Sequence, residues 1–250
     1  MATTQPSPTF KADTPGPLAE LLVTLAGTPD DVPAIDVQLR ILVQLAADKV
    51  EGVDYASVTT LRDDTYSTVA ASSELADAVD QAQYTGHGGP CMQALDDNSP
   101  VTLPDIATTM TWPRFREAAI GMGLSSSVSI PVVVGSGQTV AVLNLYGRDA
   151  ATMAPLIVGV WALYDPERPL PSDIDGLPAL SEGGTELLTG FAEALTVHST
   201  IQLALGVIMA SAGITNHEAY LKLRLRAIDS GTSLLTAADA IIRGDPWPVR

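Results

Sequence analysis

Between Thr185 and Ala212 the chain carries two adjoining apolar stripes at helical spacing, and a stable fold must cover both. Leu188, Phe191, Leu195, His198, Gln202, Leu205 and Met209 form one stripe in alternating steps of three and four residues. Leu187, Gly190, Ala194, Val197, Ile201, Ala204 and Ile208 form the other. The pattern predicts one long helix ending at Gly213, a residue type suited to a left-handed stop. Two stripes need two partners. One can pack on the bundle or body of the chain, and the other can form a dimeric coiled coil with Leu188, Phe191, Leu195, His198 and Leu205 along its seam. Burial of the whole helix within one chain is the alternative.

Downstream, Thr215 with Glu218 spells a capping box for a helix to about Asp229, and Ser233 caps a third helix over Leu234–Arg243. Short connections predict a small three-helix bundle. Upstream, Ser125–Val134 and Gln138–Tyr146 read as a hairpin turned at Gly135-Ser136-Gly137. In its second strand Val140, Val142, Asn144 and Tyr146 share one face, while Ala141, Leu143 and Leu145 share the other. Both faces are largely apolar, so this strand is central and covered on both sides. Further strands are expected at Asp54–Thr60, Tyr66–Ser72 and Val101–Leu103. Helices are expected from about Ile35 to Val50, from Ser73 to Gln83, from near Pro90, and over Pro113 with Thr111 as cap. This order is α+β: an antiparallel sheet flanked by helices, then the long helix and its bundle. The Pro-rich first 17 residues read as disordered, and a flexible tail is expected through residue 33. The apolar stretch Leu156–Tyr164 fits either strand or helix.

Charge divides the chain. Up to Leu188 there are 8 Lys and Arg against 24 Asp and Glu, which accounts for the whole net charge of −16; from Thr189 onward there are 5 of each. An acidic body repels nucleic acid at long range, so any such contact falls to the neutral last quarter. A single cysteine, Cys91, excludes an intramolecular disulfide and cysteine-based zinc sites. His87, His198 and His217 lack ligand spacing, so no metal is expected. The N-terminus has no apolar signal core, and the longest apolar run, Ala154–Tyr164, is about half the roughly 20 residues that span a bilayer. A cytoplasmic protein without membrane contact is expected.

Catalytic constellations are sparse. His87 and Cys91, four residues apart, invite a thiolate–imidazole reading, but no acidic orienter can be assigned and a buried structural cysteine is favoured. Gly86-His87-Gly88-Gly89-Pro90 lacks the lysine and hydroxyl residue of a phosphate-binding loop. Asp63-Asp64 and Asp96-Asp97 fall in expected turns. The reading is therefore a non-enzyme with no cofactor. His198 on the seam suggests a pH-sensitive dimer contact, since a histidine pair repels once charged.

Two family resemblances add to this. The segment Ala204, Gly206-Val207-Ile208-Met209, Gly213-Ile214, Glu218-Ala219-Tyr220, Leu223-Arg224, Ala227, Leu234, Ala238 and Ile241-Ile242 resembles the ANTAR domain, a three-helix RNA-binding module of bacterial antitermination regulators. The resemblance implies contact with RNA hairpins, with Lys222, Arg224, Arg226 and Arg243 as the available cations. Lys222 and Arg226 stand one helical turn apart and can share a face. Where that family is usually basic, this chain has His198, Leu205 and Gly231-Thr232-Ser233. The alternative is a degenerate ANTAR-like domain that serves dimerisation or protein contact instead. The body resembles a GAF domain over about residues 34–150, through Gly88-Gly89-Pro90-Cys91, Ala94, Trp112-Pro113-Arg114-Phe115, Gly123-Leu124-Ser125-Ser126, Ser129-Ile130-Pro131 and Leu143-Asn144-Leu145-Tyr146. It implies a homodimeric sensor with a small-molecule pocket between sheet and helices; Cys91, Trp112, Phe115, Asn144 and Tyr146 are the candidate lining, with core packing the favoured alternative for Trp112 and Phe115. One GAF branch reduces methionine sulfoxide, which requires several cysteines and so does not suit this chain. Relative to that pattern, the Pro- and Asp-rich stretch near 153–184 looks like an insertion. The expected units are a tail at 1–33, a GAF-like sensor at 34–184, and the long helix with its ANTAR-like bundle at 185–250.

Overall fold

A computed structural model describes residues 15–29, 32–137, 139–168 and 176–246. The helices α1 (Pro17–Gly27) and α2 (Val32–Lys49) precede a hairpin of β1 (Tyr55–Arg62) and β2 (Thr65–Ala71). Next come α3 (Glu74–Gly86), α4 (Pro90–Asp96), β3 (Val101–Leu103), a single 3₁₀ turn and α5 (Pro113–Gly121). The second hairpin, β4 (Ser126–Val133) and β5 (Thr139–Gly147), leads into α6 (Ala150–Tyr164). The chain then forms α7 (Glu182–Ala212), α8 (Asn216–Ser230) and α9 (Leu234–Ile242). The five strands make one antiparallel sheet in the order β2-β1-β5-β4-β3, so β5 is central.

Both faces of β5 are covered, as its alternation predicts. Ala141, Leu143 and Leu145 join the large core under α2, α6 and α7. Val142 packs with Cys91 and Ala94 of α4, and Tyr146 with Val79 of α3 and Phe115 of α5. Local signals place the helix ends. Ser73 accepts from Ala76 N, and Thr215 forms its capping box with Glu218. Ser233 accepts from Thr236 N, and Gly213 ends α7 at φ 65°. At α5 the cap position is Trp112 rather than Thr111, with Pro113 opening the helix.

Three expectations are corrected. The flexible tail through residue 33 does not hold for Pro17–Gly27, which is the helix α1, with Leu18, Leu22 and Leu25 buried against α7. Its approach depends on Gly190, where a Cβ would stand 2.7 Å from Ala19 Cα. Glu186 of α7 accepts from the Leu18 amide and pairs with Lys49 Nζ at 3.7 Å, tying the start of α1 to the end of α2. Residues 1–14, part of the same expectation, lie outside the described residues. Second, the apolar half of the expected insertion near 153–184 is core structure. Met153, Leu156, Ile157 and Val160 of α6 are buried, while residues 169–175 lie outside the described set.

Third, the dimer seam is largely used within the chain. Leu188, Phe191 and Leu205 are buried in the same core as Leu187, Ala194, Val197 and Ile201, so both stripes find partners in α1, α6, α8, α9 and the sheet. Leu195 and His198 are half-buried. His198 faces Gly137 in the β4–β5 turn; burial lowers its pKa, and its Nδ1 has no hydrogen-bond partner. Nearby, Gln202 donates to Ser136 O at 3.0 Å. By length and composition α7 could also cross a membrane, although here its apolar stripes pack in the core.

Candidate functional site

Polar residues converge on the sheet face beneath α3 and α4. Ser57 and Thr59 of β1, Thr68 of β2, Ser127 and Ser129 of β4, and Asn144 and Tyr146 of β5 project there because side chains alternate along each strand. Above them α3 contributes Asp80, Gln83 and Tyr84. Asp80 is fully buried. Tyr146 donates to its Oδ1 at 2.6 Å and Thr68 to its Oδ2 at 2.9 Å. Asn144 donates to Thr59 at 2.9 Å and Ser57 at 3.2 Å, and accepts from Ser129 at 2.9 Å. The Tyr84 hydroxyl lies 2.9 Å from both Thr59 and Thr68.

Gln83 links this network to the loop before α4. Its Nε2 donates to the Tyr146 hydroxyl at 3.1 Å, and its Oε1 accepts from the Cys91 amide at 3.0 Å. A Cβ at Gly89 would collide with Gln83 Oε1, so only glycine admits this contact. That is the physical content of the Gly88-Gly89-Pro90-Cys91 motif.

Burial pushes the Asp80 carboxyl up to about 6, against hydrogen bonds from Tyr146, Ser57 and Thr68 that favour its ionised form. The same burial raises the Cys91 thiol well above its ordinary value, and His87 is exposed at the end of α3. These two residues do not form a thiolate–imidazole pair. One polar atom at the cluster has no partner. Ser127, opposite Tyr146 in the β4–β5 register, is buried with its Oγ unbonded.

Of the residues expected to line a pocket, Cys91, Phe115, Asn144 and Tyr146 are fully buried around this cluster, with Trp112 half-buried at its edge against Gly88. Asn144 and Tyr146 lie on the sheet, while Cys91 comes from α4, Phe115 from α5 and Trp112 from the cap of α5. Reasoning from sequence missed Asp80, Gln83 and Tyr84. The available signal was the presence of Asp80 and Gln83 on the inward stripe that Ala76 and Val79 mark out in α3. Among the described residues no group of three or more His, Cys, Asp or Glu could hold a metal.

The expected RNA-contacting cations do not form one exposed set. Lys222 is exposed, whereas Arg226 is buried and donates to the carbonyls of Asp245 and Pro246 at 2.9 and 3.2 Å. The shared face expected for these two is therefore corrected: Arg226 turns inward because the chain after α9 returns across α8. Arg243 pairs with Asp245 at 3.3 Å. Arg224 is half-buried, with its guanidinium 5.9 Å from the Tyr220 ring centre. The outer surface of α8 also carries Leu221, Leu225 and Ile228, the last 69% exposed.

Comparison with known proteins agrees with this architecture. Residues 35–155 match the GAF domain and residues 190–242 match the ANTAR domain. Solved structures similar to this chain include the type II free methionine-R-sulfoxide reductase from Thermoplasma acidophilum, with 16% identity, TM-score 0.39, and coverage of 49% of this chain and 81% of that one. A GAF domain/HD domain protein from Geobacter sulfurreducens has 14% identity and TM-score 0.32, with coverage of 75% of this chain and 99% of that one. No curated protein matches the chain. A GAF domain followed by a C-terminal ANTAR domain matches the domain arrangement of the GAF–ANTAR regulator family.

Proposed function

We propose that this chain is a cytoplasmic, non-enzymatic, homodimeric regulator whose GAF domain binds a small polar molecule at the Asp80 cluster and whose ANTAR domain acts on hairpin RNA. The observation that carries the sensing half is the buried polar face around Asp80, with Ser127 Oγ unbonded beside it. A ligand offering hydrogen-bond donors there would satisfy Ser127 and relieve the unfavourable burial of Asp80. Transmission would run through the β4–β5 turn. Gly135 donates to Thr28 O at 2.9 Å, and a Cβ on it would stand 2.6 Å from Leu234 Cδ1, so this turn touches both α1 and the start of α9.

The output is tested by fluorescence anisotropy of the full chain with an RNA of two adjacent hairpins, starting at ~50 mM salt, where electrostatics are least screened. With Lys222 and Arg224 as its principal available cations, affinity should fall with salt at a log–log slope of only about −2, and Lys222→Ala should flatten it by about 1. Absence of binding at low salt rejects the RNA reading. A second reading then stands, an ANTAR-like domain that contacts protein or a second copy of the chain. The inward turn of Arg226 and the exposed Leu221, Leu225 and Ile228 favour it.

A further inference from the structure

A cleft of about 640 Å³ lies where the first helix meets the output bundle. Val23, Thr24, Gly27 and Thr28 of α1 and its end form one wall, with Val197 of α7 beside them. The opposite wall is Ala227 and Ile228 of α8, the Gly231–Ser233 turn, and Leu234 and Leu235. The cleft is distinct from the Asp80 cluster, which lies beneath α3 and α4 on the other face of the sheet. Its size falls within the range of roughly 300–1,000 Å³ typical of small-molecule sites, and its position between sensor and output elements is one where such sites concentrate.

The lining is mostly apolar, and its polar groups are largely committed. Thr24 and Thr28 donate to carbonyls within α1, and Ser233 accepts from Thr236 N. Among the described residues, Arg224 is the one charged side chain on the lining. Among the described residues it has no ion pair. A single guanidinium beside an apolar trough matches one carboxylate, which it can grip with two parallel hydrogen bonds. A dianion would find no second cation among the described lining residues and would face the repulsion of a chain with net charge −16.

We infer that this cleft binds a monocarboxylate with an apolar body, its acid group on Arg224 and its hydrocarbon between α1 and the α8–α9 turn. Occupancy bridges α1 to the turn and stabilises the docking of the output bundle on the rest of the chain. This site does not depend on the RNA reading, and its test contains no RNA.

Octanoate serves as the probe, with octanol and acetate as its uncharged and bodiless counterparts, in calorimetric titrations of the full chain. Octanoate should bind saturably at one site per chain, octanol about tenfold more weakly, and acetate not at all. Arg224→Gln should reduce octanoate to the affinity of octanol, and Val23→Trp should abolish binding of both by filling the trough. If circular dichroism shows that Val23→Trp fails to fold, Thr24→Trp, at an exposed position on the rim, replaces it. Hydrogen exchange should slow at Leu25–Thr28 and Gly231–Leu235 when octanoate is present. No binding at millimolar octanoate, or binding that both substitutions leave unchanged, overturns the inference.

Discussion

Asp80 is buried away from bulk solvent, and its hydrogen bonds to Tyr146 and Thr68 only partly offset the lost hydration. Its folded value of about 6 lies above the ordinary 3.8, so the folded chain holds this proton more tightly than the unfolded chain. The burden on stability is therefore absent below about pH 4, grows as the pH rises through 6, and is complete above it. Across that window the wild type should lose about 2–3 kcal/mol relative to Asp80→Asn, measured by chemical denaturation at each pH. A pH-independent difference between the two would refute this account. Arg226 makes the opposite case, a cation held by the carbonyls of Asp245 and Pro246. Arg226→Gln should cost about 1–3 kcal/mol in thermal unfolding, because buried acceptors lose a charged donor. It should leave any salt dependence of RNA binding unaltered, since this guanidinium is turned away from solvent.

At the scale of elements, the glycines of α7 separate close packing from open surface. Gly190 lies against Ala19 and Leu22, so Gly190→Val should push α1 away and cost about 1–3 kcal/mol. At Gly206 a Cβ would find open space, with nothing within 4 Å, so Gly206→Ala should raise stability by about 0.5–1 kcal/mol through helix propensity alone. The pair is read from melting temperatures, and equal effects would show that α1 does not dock as described. Elements with a strong period or an explicit cap were legible: β4, β5, α3 and α7–α9 fall within a few residues of where their patterns place them. The helix α1 was not. Its PLAELLVTLAG sequence has a clear apolar face, but the prolines before it read as a tail, and only Gly190 on a distant element gives that face a seat.

At the scale of the molecule, one continuous core runs from Leu18 and Leu42 through Leu143 and Phe191 to Leu223 and Ile241. The output helices are thus packed on the same interior as the sheet, with α7 passing through both. A fragment of residues 182–250 would expose Leu187, Gly190, Ala194 and Val197, which α1 and the sheet region otherwise help to cover. Light scattering should show that fragment self-associating at concentrations where the full chain keeps a single mass. A monodisperse fragment of monomeric mass would mean that α7–α9 cover their own core. The acidic charge stays with the sensing part, so attraction to a polyanion rests on the few exposed cations of the neutral last quarter.

Residue order alone determined the α+β class, the central strand with two covered faces, the capping residues and the two stripes of α7, because each depends on neighbours a few positions apart. The stripes also showed that α7 needs two partners. They could not show which partners, since a buried stripe looks the same whether a second chain or a distant helix covers it. Tertiary structure decided that α1, α6, α8, α9 and the sheet cover Leu188, Phe191 and Leu205, and that Arg226 points inward. It also assembled Asp80, Gln83, Asn144 and Tyr146, which come from separate elements and whose hydrogen bonds exist only once those elements meet.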